Sequence, residues 1–459
     1  MKLKRIMFAA PKSGSGKTTI TCGILQALKN MGEQVVSFKC GPDYIDPMFH
    51  KTVIDIPSKN LDTFFTDPDM TRTLFLKGRS EDDFAVIEGV MGLFDGLGGV
   101  REEGSSYHLA QVTKTPIVLV VDTKGMARSV LPYIAGFLAY DQDHLIKGVV
   151  LNRTSKAMYD LLRPLIEEEM HIAVIGYFPE QKQFQLGSRH LGLIMPDELS
   201  DIKNQMSHLA EEVVKTISVE QICMIANEAQ ELDNTKKRIS CDMEELRTEE
   251  HPVIAVAKDE AFCFYYEDNL QMLKDYGAEI VFFSPVHDND LPENCDALLL
   301  GGGYPELHLD KLSNNENLKA EIKQAFEHGM PMVAECGGFM YLHSYIRDQE
   351  NIPKSMVGIL PGGCYNKGKL VRFGYIEIEE GGNHFLDRDE RIRAHEFHYY
   401  DSEENGMDCT AIKPATGKKY PCIHSGCHYW FGFPHLSYPS NPSFAKQFVV
   451  KARNYKNRK

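Results

Sequence analysis

Apolar and polar positions alternate in blocks through the first half of the chain. Strand-like runs appear at "RIMFAAP", "QVVSFKC", "FAVIEGV", "PIVLVVD", "IKGVVLN" and "IAVIGYFP". Between them lie longer segments with apolar residues at helical spacing, such as "TTITCGILQALKNMG" and "MYDLLRPLIEEEM". Strands alternating with helices predict a parallel sheet covered on both faces. Residues from about 206 to 232 continue with helical spacing, as in "MSHLAEEVVKTI".

The pattern then breaks. "NEAQELDNTKKRISCDMEELRTEE", residues 227–250, is highly charged and poor in strand formers, so it is expected to be a linker, helical in part. A new apolar run opens at "HPVIAVAKDEAFCFYY", followed by "GAEIVFFSPV", "CDALLLGGGYPE" and "GMPMVAECGGF". The expected organisation is α/β in both halves. Residues 1–226 form one domain and 251–459 a second, and 459 residues suit two cores better than one.

Composition narrows the function classes. The chain has 50 Lys and Arg against 65 Asp and Glu, a net charge of −15, which argues against nucleic-acid or anionic-membrane partners. The apolar run after "MKLKR" ends at Pro11 and Lys12, too short for a signal peptide, and no window approaches the roughly 20 apolar residues of a membrane span. Eleven irregularly spaced cysteines point to a reducing compartment, so a cytoplasmic location is expected. "CIHSGCH" has no second ligand pair at zinc-site spacing, and Cys422 and Cys427 are read as ordinary semi-buried cysteines.

"APKSGSGKTT" sits between an apolar run and a helical pattern, the setting a phosphate-binding loop needs. Its amides and the helix N-terminus hold negative charge. Lys12, Ser13, Gly14, Ser15, Gly16, Lys17, Thr18 and Thr19 are the candidate ATP-binding residues, with Lys17 reaching the β/γ phosphates and Thr18 ligating Mg²⁺. Pro11 stands where the common pattern has glycine, and Lys12 matches the variant with an extra lysine before the loop. "FAVIEGVMGLFDG" places Glu88 at a strand end, a position from which a carboxylate can face a metal. "GPDYIDPMFH" adds Asp43 and Asp46, two carboxylates able to share a metal or position an amine.

A second centre lies at "AECGGFMYL", residues 334–342. An apolar strand, a tight turn at "CGG" and a helix from "FMYLHSYI" would expose Cys336 on an elbow at a helix N-terminus. That placement is expected to lower the thiol pKa. Gly337, with Gly302 or Gly303 of "LLLGGGYPE", would supply oxyanion amides. A thiol nucleophile needs a base, and His435 follows a strand-like run.

Taken together, "SGSGKTT", "FKCGPDYIDPMFH", "IEGVMGLFDG", "SRHLGL", "LLLGGGYPEL", "AECGGFMYL", "RAHEFHYY" and "HLSYPSNP" resemble, in this order and over essentially the whole chain, the cobyrinate a,c-diamide synthase family. The resemblance implies an N-terminal P-loop domain like dethiobiotin synthetase and a C-terminal class I glutamine amidotransferase domain with a flavodoxin-like α/β fold. It implies ATP and L-glutamine as substrates, Mg²⁺ as cofactor and a tetrapyrrole polycarboxylate such as cobyrinate as acceptor. Cys336 matches the family's glutaminase nucleophile and His435 its histidine. Asp43, Tyr44, Asp46 and Glu88 match the region of carboxylate activation, with Thr18, Asp43 and Glu88 toward the metal. Arg189, His190, Arg393, His395 and His398 are candidate anchors for substrate carboxylates. Ser437 stands where many class I amidotransferases carry a glutamate, which leaves a Cys–His dyad without an assigned orienter. The alternatives are amidation of nickel-sirohydrochlorin by the same architecture and, from another class, a ParA/MinD-like regulatory ATPase, which would leave Cys336 and His435 without a task. Oligomeric state is open between monomer and homodimer.

Overall fold

A computed structural model describes residues 1–181, 196–233, 251–382 and 384–459. The chain divides into two compact units, Met1–Lys237 and Arg238–Lys459.

The first unit is built on seven strands: β1 (Lys4–Ala9), β2 (Gln34–Cys40), β3 (Ser58–Leu61), β4 (Asp83–Glu88), β5 (Ile117–Asp122), β6 (Ile146–Asn152) and β7 (Ala173–Phe178). They form one parallel sheet in the order β3-β2-β4-β1-β5-β6-β7. Successive residues feed opposite faces, because side chains alternate along a strand. Ile6 and Phe8 pack with helix α1 (Lys17–Asn30) and the helix Pro196–Thr216, while Met7 and Ala9 pack against the core on the other side. The edge strand β3 is absent from the sequence pattern, since "SKNL" is short and polar. Leu232 is fully buried on this unit, and the Met1 ammonium donates to its carbonyl at 2.9 Å.

The order places β1, β2 and β4 side by side with their C-terminal ends on one rim. Loops leaving such strand ends form the ligand crevice of open parallel sheets. Those loops are "PKSGSG" after β1, "GPDY" before helix α2 (Ile45–Thr52), and "GVMGLFDG" after β4.

The second unit has a six-stranded sheet. Its members are β8 (Val253–Ala257), β9 (Glu279–Phe283), β10 (Ala297–Leu300), β11 (Met332–Glu335), and the later β20 (His424–Gly426) and β21 (Tyr429–Gly432). Eight strands intervene, the first six being β12 (His343–Arg347), β13 (Pro353–Ser355), β14 (Leu360–Asn366), β15 (Arg372–Glu380), β16 (Arg391–His398) and β17 (Tyr400–Ser402). The remainder are β18 (Cys409–Ile412), β19 (Lys419–Cys422), β20 (His424–Gly426), β21 (Tyr429–Gly432) and β22 (His435–Leu436). They complete a four-stranded sheet β13-β12-β14-β17 and a five-stranded sheet β19-β18-β15-β16-β22. One expectation fails here. The helix after Cys336 stops at Tyr341, and His343–Arg347 is strand β12, paired with β13 and β14. "HSYIR" carries aromatic and β-branched side chains, which suit a pleated surface, with His343 and Ile346 buried.

No helix among the described residues is long and apolar enough to cross a membrane. Cys422 is buried, but Cys427 is exposed rather than semi-buried.

Candidate functional sites

The phosphate-loop candidate turns on two left-handed glycines, Gly14 (φ 76°) and Gly16 (φ 82°). A side chain at Gly16 would also meet Asn152 Nδ2 at 2.1 Å, and that amide donates to the Ser15 carbonyl at 2.7 Å. Arg153 donates to the Gly14 carbonyl at 2.9 Å and to Asp122 at 2.9 Å. The loop is therefore held from the end of β6 as well as by its own turn. Lys12, Ser13 and Gly14 are exposed, Ser15 is buried with its hydroxyl on the Lys12 carbonyl, and Thr19 is half-buried on α1. Lys17 crosses to the loop after β4 and donates to the Met91 carbonyl at 3.0 Å. Burial, reinforced by the charge of Lys39, lowers its ammonium to about 8.

Thr18 and Glu88 meet: the hydroxyl donates to Glu88 Oε1 at 2.6 Å. One residue that sequence reasoning missed is Lys39. It lies directly opposite Glu88 in the β2–β4 register, donates to Glu88 Oε1 at 2.9 Å, and pairs with Asp46. A lysine inside the apolar run "QVVSFKC" was itself the available signal, because a buried lysine requires a charged partner. Burial would push Glu88 up, but the Lys39 charge, the nearby His50 imidazole and the Thr18 hydroxyl hold it well below the usual carboxylate range. Asp46 goes the other way, to about 7, through burial and the Glu88 charge, against the pull of Lys39. Lys39 itself is held fully protonated, since Glu88 and Asp46 outweigh its desolvation. Asp43 lies in the turn before α2 and accepts from Ile45 N at 2.7 Å, and Tyr44 is buried beside it.

These oxygens suit Mg²⁺. Among the described residues, Glu88 Oε2 is buried and accepts no hydrogen bond, with His50 Nε2 3.5 Å away, while Thr18 donates to Oε1 and Asp46 shares the Lys39 ammonium with Glu88. No three His, Cys, Asp or Glu side chains among the described residues make a closed metal cage. That pattern fits an ion that one or two carboxylates share with phosphate oxygens. Arg189 and His190 lie outside the described residues.

In the second unit, Cys336 sits between β11 and the helix Gly337–Tyr341 with φ 48°. A positive φ on a side-chain-bearing residue is costly and marks a forced turn. The loop after β10 lies against this elbow. A Cβ on Gly302 would stand 2.4 Å from His435 Cε1 and 3.4 Å from Cys336 Cβ, and one on Gly337 would stand 3.2 Å from Gly303 N. Only glycines allow this approach, and it brings Cys336, His435, Gly302, Gly303 and Gly337 to one point. The expected lowering of the thiol pKa does not occur. Burial pushes the Cys336 thiol well up and Glu306 adds to it, while the Gly337 amide opposes them. His435 is buried, which lowers its imidazole to about 3, with His395 and His398 contributing.

The remaining candidates are engaged locally. Arg393 donates to Glu377 at 3.3 Å, and His398 stacks on Phe433 at 4.0 Å. His395 pairs across the sheet with His435, and burial lowers it to about 4, so it carries no cation for a carboxylate at neutral pH. Ser437 donates its amide to the Arg393 carbonyl at 3.0 Å and accepts from Ser440 Oγ at 2.6 Å.

Comparison with known proteins agrees with this division. Residues 6–194 match the family described as CobQ/CobB/MinD/ParA nucleotide binding domain, and residues 253–430 the CobB/CobQ-like glutamine amidotransferase domain. Three relatives match nearly end to end, each carrying the name cobyrinate a,c-diamide synthase. The Caldanaerobacter subterraneus protein is 38% identical over 455 residues, covering 98% of both chains. One from Dehalococcoides mccartyi is 36% identical over 469 residues, covering 99% of both. The Clostridium acetobutylicum protein is 37% identical over 454 residues, covering 97% of this chain and 100% of its own.

Proposed function

The chain belongs to the cobyrinate a,c-diamide synthase family of glutamine-dependent amidating ligases, and from that membership we propose that it amidates the a and c carboxylates of cobyrinate, using ATP and glutamine. The observation that carries the reading is the pairing, in one chain, of a phosphate loop facing buried carboxylates with a cysteine elbow facing a histidine.

In the second unit, Cys336 Sγ attacks the side-chain amide of glutamine. The thiol proton passes to His435 and then to the departing nitrogen as ammonia leaves, and water frees glutamate from the thioester. The Gly337 amide and the Gly302–Gly303 loop face the oxygen on which negative charge develops. In the first unit, the amides around Gly14 and Gly16, with Lys17, hold the ATP phosphates, and a substrate carboxylate takes the γ-phosphoryl group. Ammonia then displaces phosphate from the acyl phosphate to give the amide. Mg²⁺ would be held by Thr18, Glu88 and Asp46, with Asp43 at the rim, and supplies charge neutralisation at the transferring phosphoryl group. Ammonia must reach the acyl phosphate unprotonated, which explains why both chemistries share a polypeptide.

Mass spectrometry of cobyrinic acid incubated with the protein, ATP, Mg²⁺ and glutamine tests the reading. Two successive replacements of OH by NH₂ are expected. Unchanged cobyrinic acid alongside turnover of nickel-sirohydrochlorin would transfer the same chemistry to that macrocycle. ATP-dependent dimerisation with no amide product from either would favour a regulatory ATPase.

A further inference from the structure

The position two residues after His435 carries Ser437, whose backbone is spent in a local turn with Arg393 and Ser440. A carboxylate nonetheless reaches the histidine from elsewhere. Glu335 is the last residue of β11, immediately before the nucleophile, and its side chain projects to the same face of the strand as Val333, the face whose core also takes Leu436 and Tyr438. Glu335 Oε2 lies 4.0 Å from His435 Nδ1, and the same carboxyl accepts the amide of Leu436, the residue next to the histidine. Both side chains are almost completely buried.

We propose that Glu335 is the positioning residue of the glutaminase centre: it accepts Nδ1–H of His435 and so fixes the tautomer whose Nε2 exchanges protons with Cys336. This rests on the glutaminase reading of Cys336 and His435. At 4.0 Å the pair is within ion-pair reach but beyond a hydrogen bond, and such contacts tighten when a charge forms. The charge is the imidazolium. As Sγ bonds to the amide carbon, the thiol proton moves to Nε2, and it leaves on the ammonia when the C–N bond breaks. Glu335 keeps the Nδ1–H bond throughout and takes no proton.

The surroundings make this arrangement pH-dependent. Burial raises Glu335 to about 8, although the Leu436 amide opposes it. A protonated Glu335 would donate to Nδ1 and leave the proton on Nε2, the tautomer that cannot accept from Cys336. Tyr265 and Tyr438 face Glu335 and stay neutral, because burial raises both well above their ordinary range. His395, His398 and Glu396 of β16 bear on His435, and Glu306 bears on Cys336 with its own carboxyl raised to about 7. Glutamine hydrolysis is therefore expected to rise as pH increases through about 8.

The test is the rate of glutamine hydrolysis against pH for the full chain and for Glu335→Gln. The variant should lose kcat by about 10²- to 10⁴-fold, with KM for glutamine within about threefold, and should lose the limb near pH 8. Glu335→Asp should recover part of the rate, and amidation driven by added ammonia should be unchanged in both. A kcat for Glu335→Gln within about threefold of the parent, or a limb that survives in it, overturns the proposal. If Glu335→Gln fails to fold, ¹⁵N spectra of the parent protein decide, with the His435 ring identified by its loss in His435→Gln. Protonated Nδ1 and bare Nε2 at alkaline pH support the assignment, and the reverse tautomer overturns it. Loss of activity in Cys336→Ala tests the glutaminase reading separately.

Discussion

The two candidate sites bury ionisable groups in opposite ways. In the first unit charge is kept by pairing: Lys39 stands between Glu88 and Asp46, and Glu88 is fully buried yet held ionised by its partners, while Asp46 is raised to about 7. In the second unit burial wins. Cys336 and Glu335 are pushed up and His435 down, so all three favour their neutral forms at neutral pH. The difference follows from what each site receives. On the proposed function, phosphates and a metal ion would arrive already charged, and a charged cradle needs little reorganisation to meet them. Glutamine is neutral at its reacting amide, so charge arises only during the reaction, between groups already in place.

The sharpest way to separate the two chemistries is Cys336→Ala. Glutamine-driven amidation should fall by about 10⁴-fold or more, while ammonia at high concentration sustains product formation. Loss of both activities in a folded variant would break the comparison. Lys17→Ala should act on the other side, lowering amidation by about 10²- to 10³-fold with glutamine and ammonia alike. Steady-state amide formation with each nitrogen donor reads both variants. A Lys17→Ala protein with normal turnover removes the phosphate-loop assignment.

Lys39→Met probes the charged cradle through stability. It leaves Glu88 and Asp46 buried without their cation, and breaking such a pair costs about 3–5 kcal/mol. For a unit of this size that corresponds to a Tm lower by roughly 6–20 °C. Calorimetry of the full chain should show the loss confined to one of two transitions. An unchanged thermogram would mean that water, not Lys39, compensates the carboxylates.

Much of this frame was legible in the sequence. Six of the seven strands of the first sheet were visible as apolar runs, because strands buried on both faces need them. The spacing in "SGSGKTT" and the turn in "AECGGF" located loops whose geometry the structure shares. The gaps have physical causes. β3 is a short polar edge strand with almost no pattern to read. β12 was hidden because "FMYLHSYI" has helical spacing, although its second half pairs into a sheet. Lys39 meets Glu88 only through strand register across 49 positions, which local spacing does not encode. Glu335 was overlooked for a related reason: attention falls downstream of a catalytic histidine, but the carboxylate comes from the strand before the cysteine.

The neutral character of the second site gives the smallest effect and a signed one. Glu306 raises the Cys336 thiol electrostatically, and burial places the Glu306 carboxyl itself at about 7. Above that pH the carboxylate opposes thiolate formation; below it the protonated acid does not. Glu306→Gln should therefore speed alkylation of Cys336 by about two- to fivefold at pH 8.5 and leave it unchanged at about pH 6, as expected for one partly screened charge. Mass spectrometry of the Cys336 peptide after iodoacetamide treatment measures it, since exposed Cys427 would dominate any bulk thiol assay. Acceleration that persists at pH 6 would show that Glu306 acts by blocking access rather than through its charge. The contrast between the units would then rest on burial alone.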